Sequence, residues 1–112
     1  MPVKSREHVR PIPGISDADI LVRLNTDRRQ LVGYAVVLRI HESLRTLSVR
    51  LYDYVPAHGV HHMHRYTRKG VKQQPPEVLH YASIQEGFNS AIQQIRASAS
   101  EMIDSWRRQK TQ

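Results

Sequence analysis

Alternation dominates the first half of the chain. Val32, Tyr34, Val36, Leu38 and Ile40 fall at every second position, which sets them on one face of a strand. Ala35, Val37, Arg39 and His41 occupy its other face. Ile20, Val22 and Leu24 alternate with Leu21 and Arg23 and predict a shorter strand before it, ending near Asn25-Thr26-Asp27. Glu42-Ser43-Leu44-Arg45 predicts a hairpin connection into a third strand, with Leu47, Val49 and Leu51 inward and Ser48, Arg50 and Tyr52 outward. Val60 to Arg68 reads as a fourth strand with weak apolar alternation, and Val78 to Ala82 as a short terminal one.

The period then changes from two to three and four. Ile84, Phe88, Ile92, Ile95, Ala99, Met102, Ile103 and Trp106 form the stripe of one amphipathic helix running to about Arg108. Ser83-Ile84-Gln85-Glu86 has the capping-box form at its start. Glu86 near that end and Arg107, Arg108 and Lys110 near the other complement the helix dipole. Residues 1–15 carry Pro2, Pro11, Pro13 and Gly14 among alternating charges and predict an irregular N-terminal arm. The expected fold is therefore α+β. Residues 16–112 form a single domain, an antiparallel sheet of four to five strands with one long C-terminal helix packed across it.

Length and charge narrow the class. The 112 residues suffice for one modest core. Seventeen Lys and Arg against ten Asp and Glu leave a net charge of +7, which suits a polyanion or an acidic partner. The chain has no cysteine, so disulfides, thiol nucleophiles and Cys-ligated zinc are excluded. The N-terminus shows no apolar signal segment, and the longest clean apolar run, Ala35-Val36-Val37-Leu38, is far short of the roughly 20 residues of a membrane span. A soluble, cytoplasmic protein without a membrane partner is expected.

The candidate chemistry lies between Tyr54 and Pro76, a run of 23 residues without one Asp or Glu. It holds His58, His61, His62 and His64, with Asp53 closing its N-terminal side. On a strand, His62 and His64 share a face with Tyr66, while His61, Met63 and Arg65 point the other way. Such a pair can move two protons near neutral pH. RNA cleavage through the 2′-hydroxyl needs a base, an acid for the 5′-oxygen and cations for the phosphorane charge. Asp53 can orient an imidazole, His58 lies near the site, and Tyr66 can stack on a base or donate a proton. Arg65 and Arg68 can hold phosphate, with Arg50, Lys69 and Lys72 extending a basic, RNA-binding surface. No cofactor is expected. The His-x-His pair can also chelate a metal with Asp53, His58 or His80 as third ligand, or simply be the polar face of an edge strand. No role is assigned to His8 or His41.

Leu51-Tyr52-Asp53, His58-Gly59 and His62-Met63-His64-Arg65-Tyr66, followed by the capped helix, resemble the TumE-like group of small bacterial toxins. The likeness spans residues 31 to 106, and its specific part lies in Tyr52, Asp53, Gly59, His62, His64 and Tyr66. The sequence departs from the group at Tyr54-Val55-Pro56-Ala57, where an acidic run is usual, and in the longer basic loop from Lys69 to Pro76. The resemblance implies a toxin of a toxin–antitoxin module, neutralised by a small antitoxin protein. Acting on RNA as a metal-independent endoribonuclease is the reading that the residues add. A non-catalytic module that binds nucleic acid or protein, such as a phage-encoded inhibitor of a nucleic-acid enzyme, is the alternative. A third is a partner protein whose helix pairs with another chain, and a homodimer is compatible with any of these.

Overall fold

The computed structural model describes residues 3–109. Six strands form one antiparallel sheet in sequence order: β1 Lys4–Ile12, β2 Ile15–Asp27, β3 Gln30–Glu42, β4 Arg45–Tyr54, β5 His61–Arg65 and β6 Glu77–Leu79. The single helix among the described residues, α1 Ile84–Arg107, lies across one face against β3 and β4. The α+β architecture is the expected one, with six strands in place of four to five. No helix among the described residues is long and apolar enough to cross a membrane.

Tight turns explain the meander. Arg28 and Arg29 (φ 50° and 69°), then Ser43 and Leu44 (φ 45° and 59°), are paired left-handed residues. They close two-residue hairpins whose twist matches that of the flanking strands. Gly14, at φ 82°, serves the first turn. That turn overturns the irregular arm expected for residues 1–15: Lys4 to Ile12 pair with β2 from Thr26 to Ile15, and Ile12 is buried. Charged residues hid the strand because an edge strand buries little and is kept polar. Pro11 fits because the register shifts between it and Ile12.

The helix face of the sheet carries Ile20, Val22, Val36, Leu38 and Ile40, all fully buried. Against them pack Phe88, Ile92, Ile95, Met102, Ile103 and Trp106, so the expected helical stripe is the core. At the N-cap the Ser83 hydroxyl accepts from the Glu86 N–H at 3.0 Å. The Glu86 carboxylate reaches one residue further back than a standard capping box, accepting from the Ala82 N–H at 3.2 Å. Arg107 ends the helix and Arg108 caps it; Lys110 lies outside the described residues.

Near the helix start, Gly87 sits directly over His61 and Tyr34. A Cβ there would collide with the His61 ring and come within 2.7 Å of the Tyr34 hydroxyl. Alanine in an open helix gains up to ~1 kcal/mol over glycine, but overpacking a buried site costs about 1–3 kcal/mol. Gly87→Ala is therefore expected to lower stability by about 1–2 kcal/mol, read as a lower urea midpoint at unchanged slope.

One irregularity decides which side chains reach the site. The β3–β4 register pairs Leu38 with Arg50 but Arg39 with Ser48, leaving Val49 as an extra residue in β4. Such a bulge reverses the facing of all that follows. Tyr52, expected outward, is core at 2% exposure and donates its hydroxyl hydrogen to Gln94 Oε1 at 3.2 Å. Leu51, expected inward, pairs with Val37 and His64 on the uncovered face. Asp53 turns with it.

Candidate active site

Asp53 and His62 are direct partners across β4 and β5, and Leu51 is the partner of His64. The three polar side chains therefore stand side by side on the sheet face away from the helix. Asp53 Oδ1 lies 4.0 Å from His62 Nδ1 and 3.7 Å from His64 Nε2, and the two imidazole centroids are 5.8 Å apart. Both distances exceed a direct hydrogen bond. The side chains are only 12–17% exposed, yet Asp53 Oδ1 and His64 Nδ1 have no hydrogen-bond partner among the described residues. Buried polar atoms are normally satisfied, so this arrangement favours a function over packing.

The segment after β5 brings in two more groups. Tyr66 and Lys72 form a β-bridge, Thr67 N–H donates to Val71 O at 2.8 Å, and Gln73 N–H to Arg65 O at 2.7 Å. The expected strand through Arg68 thus stops at Arg65 and turns back on itself. Lys72 lies close enough to His64 to disfavour its protonation. Burial is the larger cause; together with Lys72 and His62 it outweighs the opposite pull of Asp53 and lowers the His64 pKa. Burial, aided by Asp53, raises that of Tyr66, so its phenol stays a hydrogen-bond donor at neutral pH. Asp53, Tyr66 and Lys72 line an open cavity of about 340 Å³ whose apolar wall includes Leu21, Val37 and Leu51. His62 and His64 flank Asp53 outside that lining.

Other candidates lie elsewhere. His58 is exposed, with its ring edge-on to His62 at 6.0 Å. Arg65 is on the opposite face and pairs with Glu77 at 3.5 Å. Arg50 is its cross-strand partner and shares a small pocket with it beside Trp106. Arg68, a phosphate-holding candidate, instead stacks on Trp106 at 4.5 Å and pairs with Glu42 at 3.7 Å. The turn releases it from strand alternation. Lys69 is exposed in that turn. His80 is exposed and lines a different cavity, next to His61. His61 is buried, its Nδ1 2.7 Å from the Tyr34 hydroxyl and its ring among Tyr34, Tyr54 and Tyr81. It supports the sheet beneath the helix start. Alternation puts it on the side of Met63, and its contacts with Tyr34, Tyr54 and Tyr81 give it its role.

Two further charge groups on the uncovered face neutralise themselves. Arg23 pairs with Glu7 at 2.9 Å. Arg39 binds both Asp19 oxygens, at 2.8 and 3.0 Å, and His41 joins them at 2.8 Å. Burial alone would raise the Asp19 pKa, but these partners outweigh it and hold the carboxyl below its usual value. A depressed carboxyl stabilises the fold fully above its unfolded pKa, near pH 4, and that contribution is lost as pH falls through the lower folded value. Asp19→Asn is expected to cost about 1–2 kcal/mol at pH 7. Its deficit against the unmodified protein should narrow in urea titrations at pH 3.

The arrangement offers a neutral imidazole, a second imidazole, a carboxylate between them, and a cation and phenol at the adjoining cavity. That set can move protons to and from a phosphodiester; the donor types also fit a divalent transition ion. Comparison with protein-family models, with curated proteins and with solved structures finds no match to this chain.

Proposed function

We propose that this protein is the toxin of a toxin–antitoxin module and acts on RNA in the cytoplasm as a metal-independent endoribonuclease. The observation that carries the reading is the pairing of His62 and His64 around Asp53, largely buried and with Asp53 Oδ1 and His64 Nδ1 lacking a hydrogen-bond partner among the described residues, beside Lys72 and Tyr66. His64 takes the proton of the ribose 2′-hydroxyl, since its environment favours the neutral ring. The 2′-oxygen attacks phosphorus, His62 protonates the leaving 5′-oxygen, and a 2′,3′-cyclic phosphate remains. Lys72 offsets the charge on the phosphorane, and Asp53 stabilises the imidazolium formed at His64. The toxin–antitoxin assignment itself rests on the resemblance of these motif residues to the TumE-like group, and it brings a small antitoxin protein as partner.

A binding-only basic module receives less support. Arg65 and Arg68, the cations it needs most, are engaged with Glu77, Glu42 and Trp106 away from the histidine face.

The test incubates the purified, tag-free protein with total RNA, with and without EDTA. Cleavage in both, leaving cyclic-phosphate ends, is the expected result. No cleavage by a folded protein would sink the nuclease reading.

A further inference from the structure

Resting on that cleavage site, we propose that Asp53, His62 and His64 also bind one divalent transition ion, Zn²⁺ in the first instance, and that the ion switches cleavage off. Asp53 Oδ1 and one nitrogen of each histidine all lie within 4.8 Å of one another. Tetrahedral zinc with ligands at about 2.0–2.2 Å separates its donors by roughly 3.4 Å. The 3.7 and 4.0 Å separations from Asp53 are therefore a few tenths of an ångström too wide. Rotation of the two imidazoles is the movement that binding requires, their own nitrogens lying within 4.8 Å of each other.

Two observations favour an ion. Asp53 Oδ1 is a buried carboxylate oxygen with no donor, and it faces two ring nitrogens. A cation at their centre satisfies all three atoms at once. Imidazole and carboxylate donors without thiolate are the ligand set of zinc and its first-row neighbours. With three protein ligands, the fourth position stays open for water. The second shell is thin, because His64 Nδ1 has no partner to hold the ring. Lys72 adds an unfavourable charge. Both argue for exchangeable binding and against a permanent structural ion.

Inhibition follows from which atoms the ion occupies. Proton transfer uses the same two imidazoles, and a ring that coordinates a cation is a weaker base.

Co²⁺ serves as the spectroscopic probe and Zn²⁺ as the calorimetric one, on EDTA-dialysed, tag-free protein. The expected result is one ion per chain with tetrahedral or five-coordinate Co²⁺ bands. Asp53→Asn and His64→Gln should each weaken affinity about tenfold or more, while His80→Gln and His41→Gln leave it unchanged. One equivalent of Zn²⁺ should lower RNA cleavage at least about tenfold, with EDTA restoring it. Absence of stoichiometric binding, or undiminished binding in Asp53→Asn, overturns the site. Acceleration of cleavage by Zn²⁺ overturns the switch. The metal readouts need no RNA, so binding by a protein that never cleaves RNA upholds the site while the nuclease reading and its switch fall together.

Discussion

Trp106→Ala is expected to lower the unfolding free energy by about 3–5 kcal/mol, the usual loss for truncating a buried aromatic. Trp106 is 2% exposed, at the end of the helical stripe. Its indole N–H donates to Thr67 O at 3.4 Å, and the Arg68 guanidinium stacks on the ring at 4.5 Å. Arg68 reaches Glu42, which also pairs with Arg107, and Arg107 pairs with Asp17. The ring thus joins the helix end, the turn after β5 and the β3–β4 hairpin. A domain of this size has only about 5–15 kcal/mol in total, so the variant should be near the edge of folding at 37 °C. Urea unfolding followed by circular dichroism measures it, because Trp106 is the chain's single tryptophan and tryptophan fluorescence is lost with it. Trp106→Phe should retain most of the stability, losing about 1 kcal/mol for the indole hydrogen bond. A loss below about 1 kcal/mol in Trp106→Ala would contradict the packing described.

The period of a pattern is legible wherever one face is buried. Tyr34 to Ile40 and Ile84 to Trp106 show it, because the core selects apolar side chains at the strand or helix repeat; Val32 does not, since a register shift leaves it unpaired and puts Leu31 against the core. The first strand is not legible this way. Of its residues only Ile12 is buried, and Lys4 to Arg10 are held by backbone pairing that leaves no trace in composition. The bulge at Val49 is the more consequential omission. Leu47, Val49 and Leu51 alternate as a regular strand would, and nothing in their identities shows that Val49 takes an extra place.

That extra residue bears directly on the site. Without it Asp53 would point into the core, and the His62–His64 pair would have no carboxylate beside it. The pair itself could be read from spacing, since both histidines and Met63 obey strand alternation through Arg65. Beyond Arg65 alternation stops, and so does legibility. The turn around Lys69-Gly70 carries Lys72 back to His64 and sends Arg68 to the helix end. Loop residues are placed by tertiary contacts, which composition cannot report.

His64→Ala is expected to lower kcat/KM for RNA cleavage by about 10²–10⁴-fold, the range that a general base contributes. Stability should change little: the truncation leaves a small void but also removes a buried Nδ1 that has no partner. Activity and stability should therefore separate, which distinguishes this position from Trp106. His62→Ala should fall by a similar factor, and the double variant should lose far less than the product of the two, since both serve one transition state. Arg65→Ala and Arg50→Ala, on the other face, should change cleavage by no more than a few-fold. The pH profile supplies a second readout. His64 must be neutral to accept the 2′-proton, and its environment depresses its pKa below the usual value near 6.5. The acidic limb of the profile, where His64 takes up its proton, should consequently lie below about pH 6.5. Lys72→Ala removes a charge that disfavours protonation of His64, so its acidic limb should move to higher pH. An unmoved limb in Lys72→Ala, or full activity in His64→Ala, would remove His64 from the role of base.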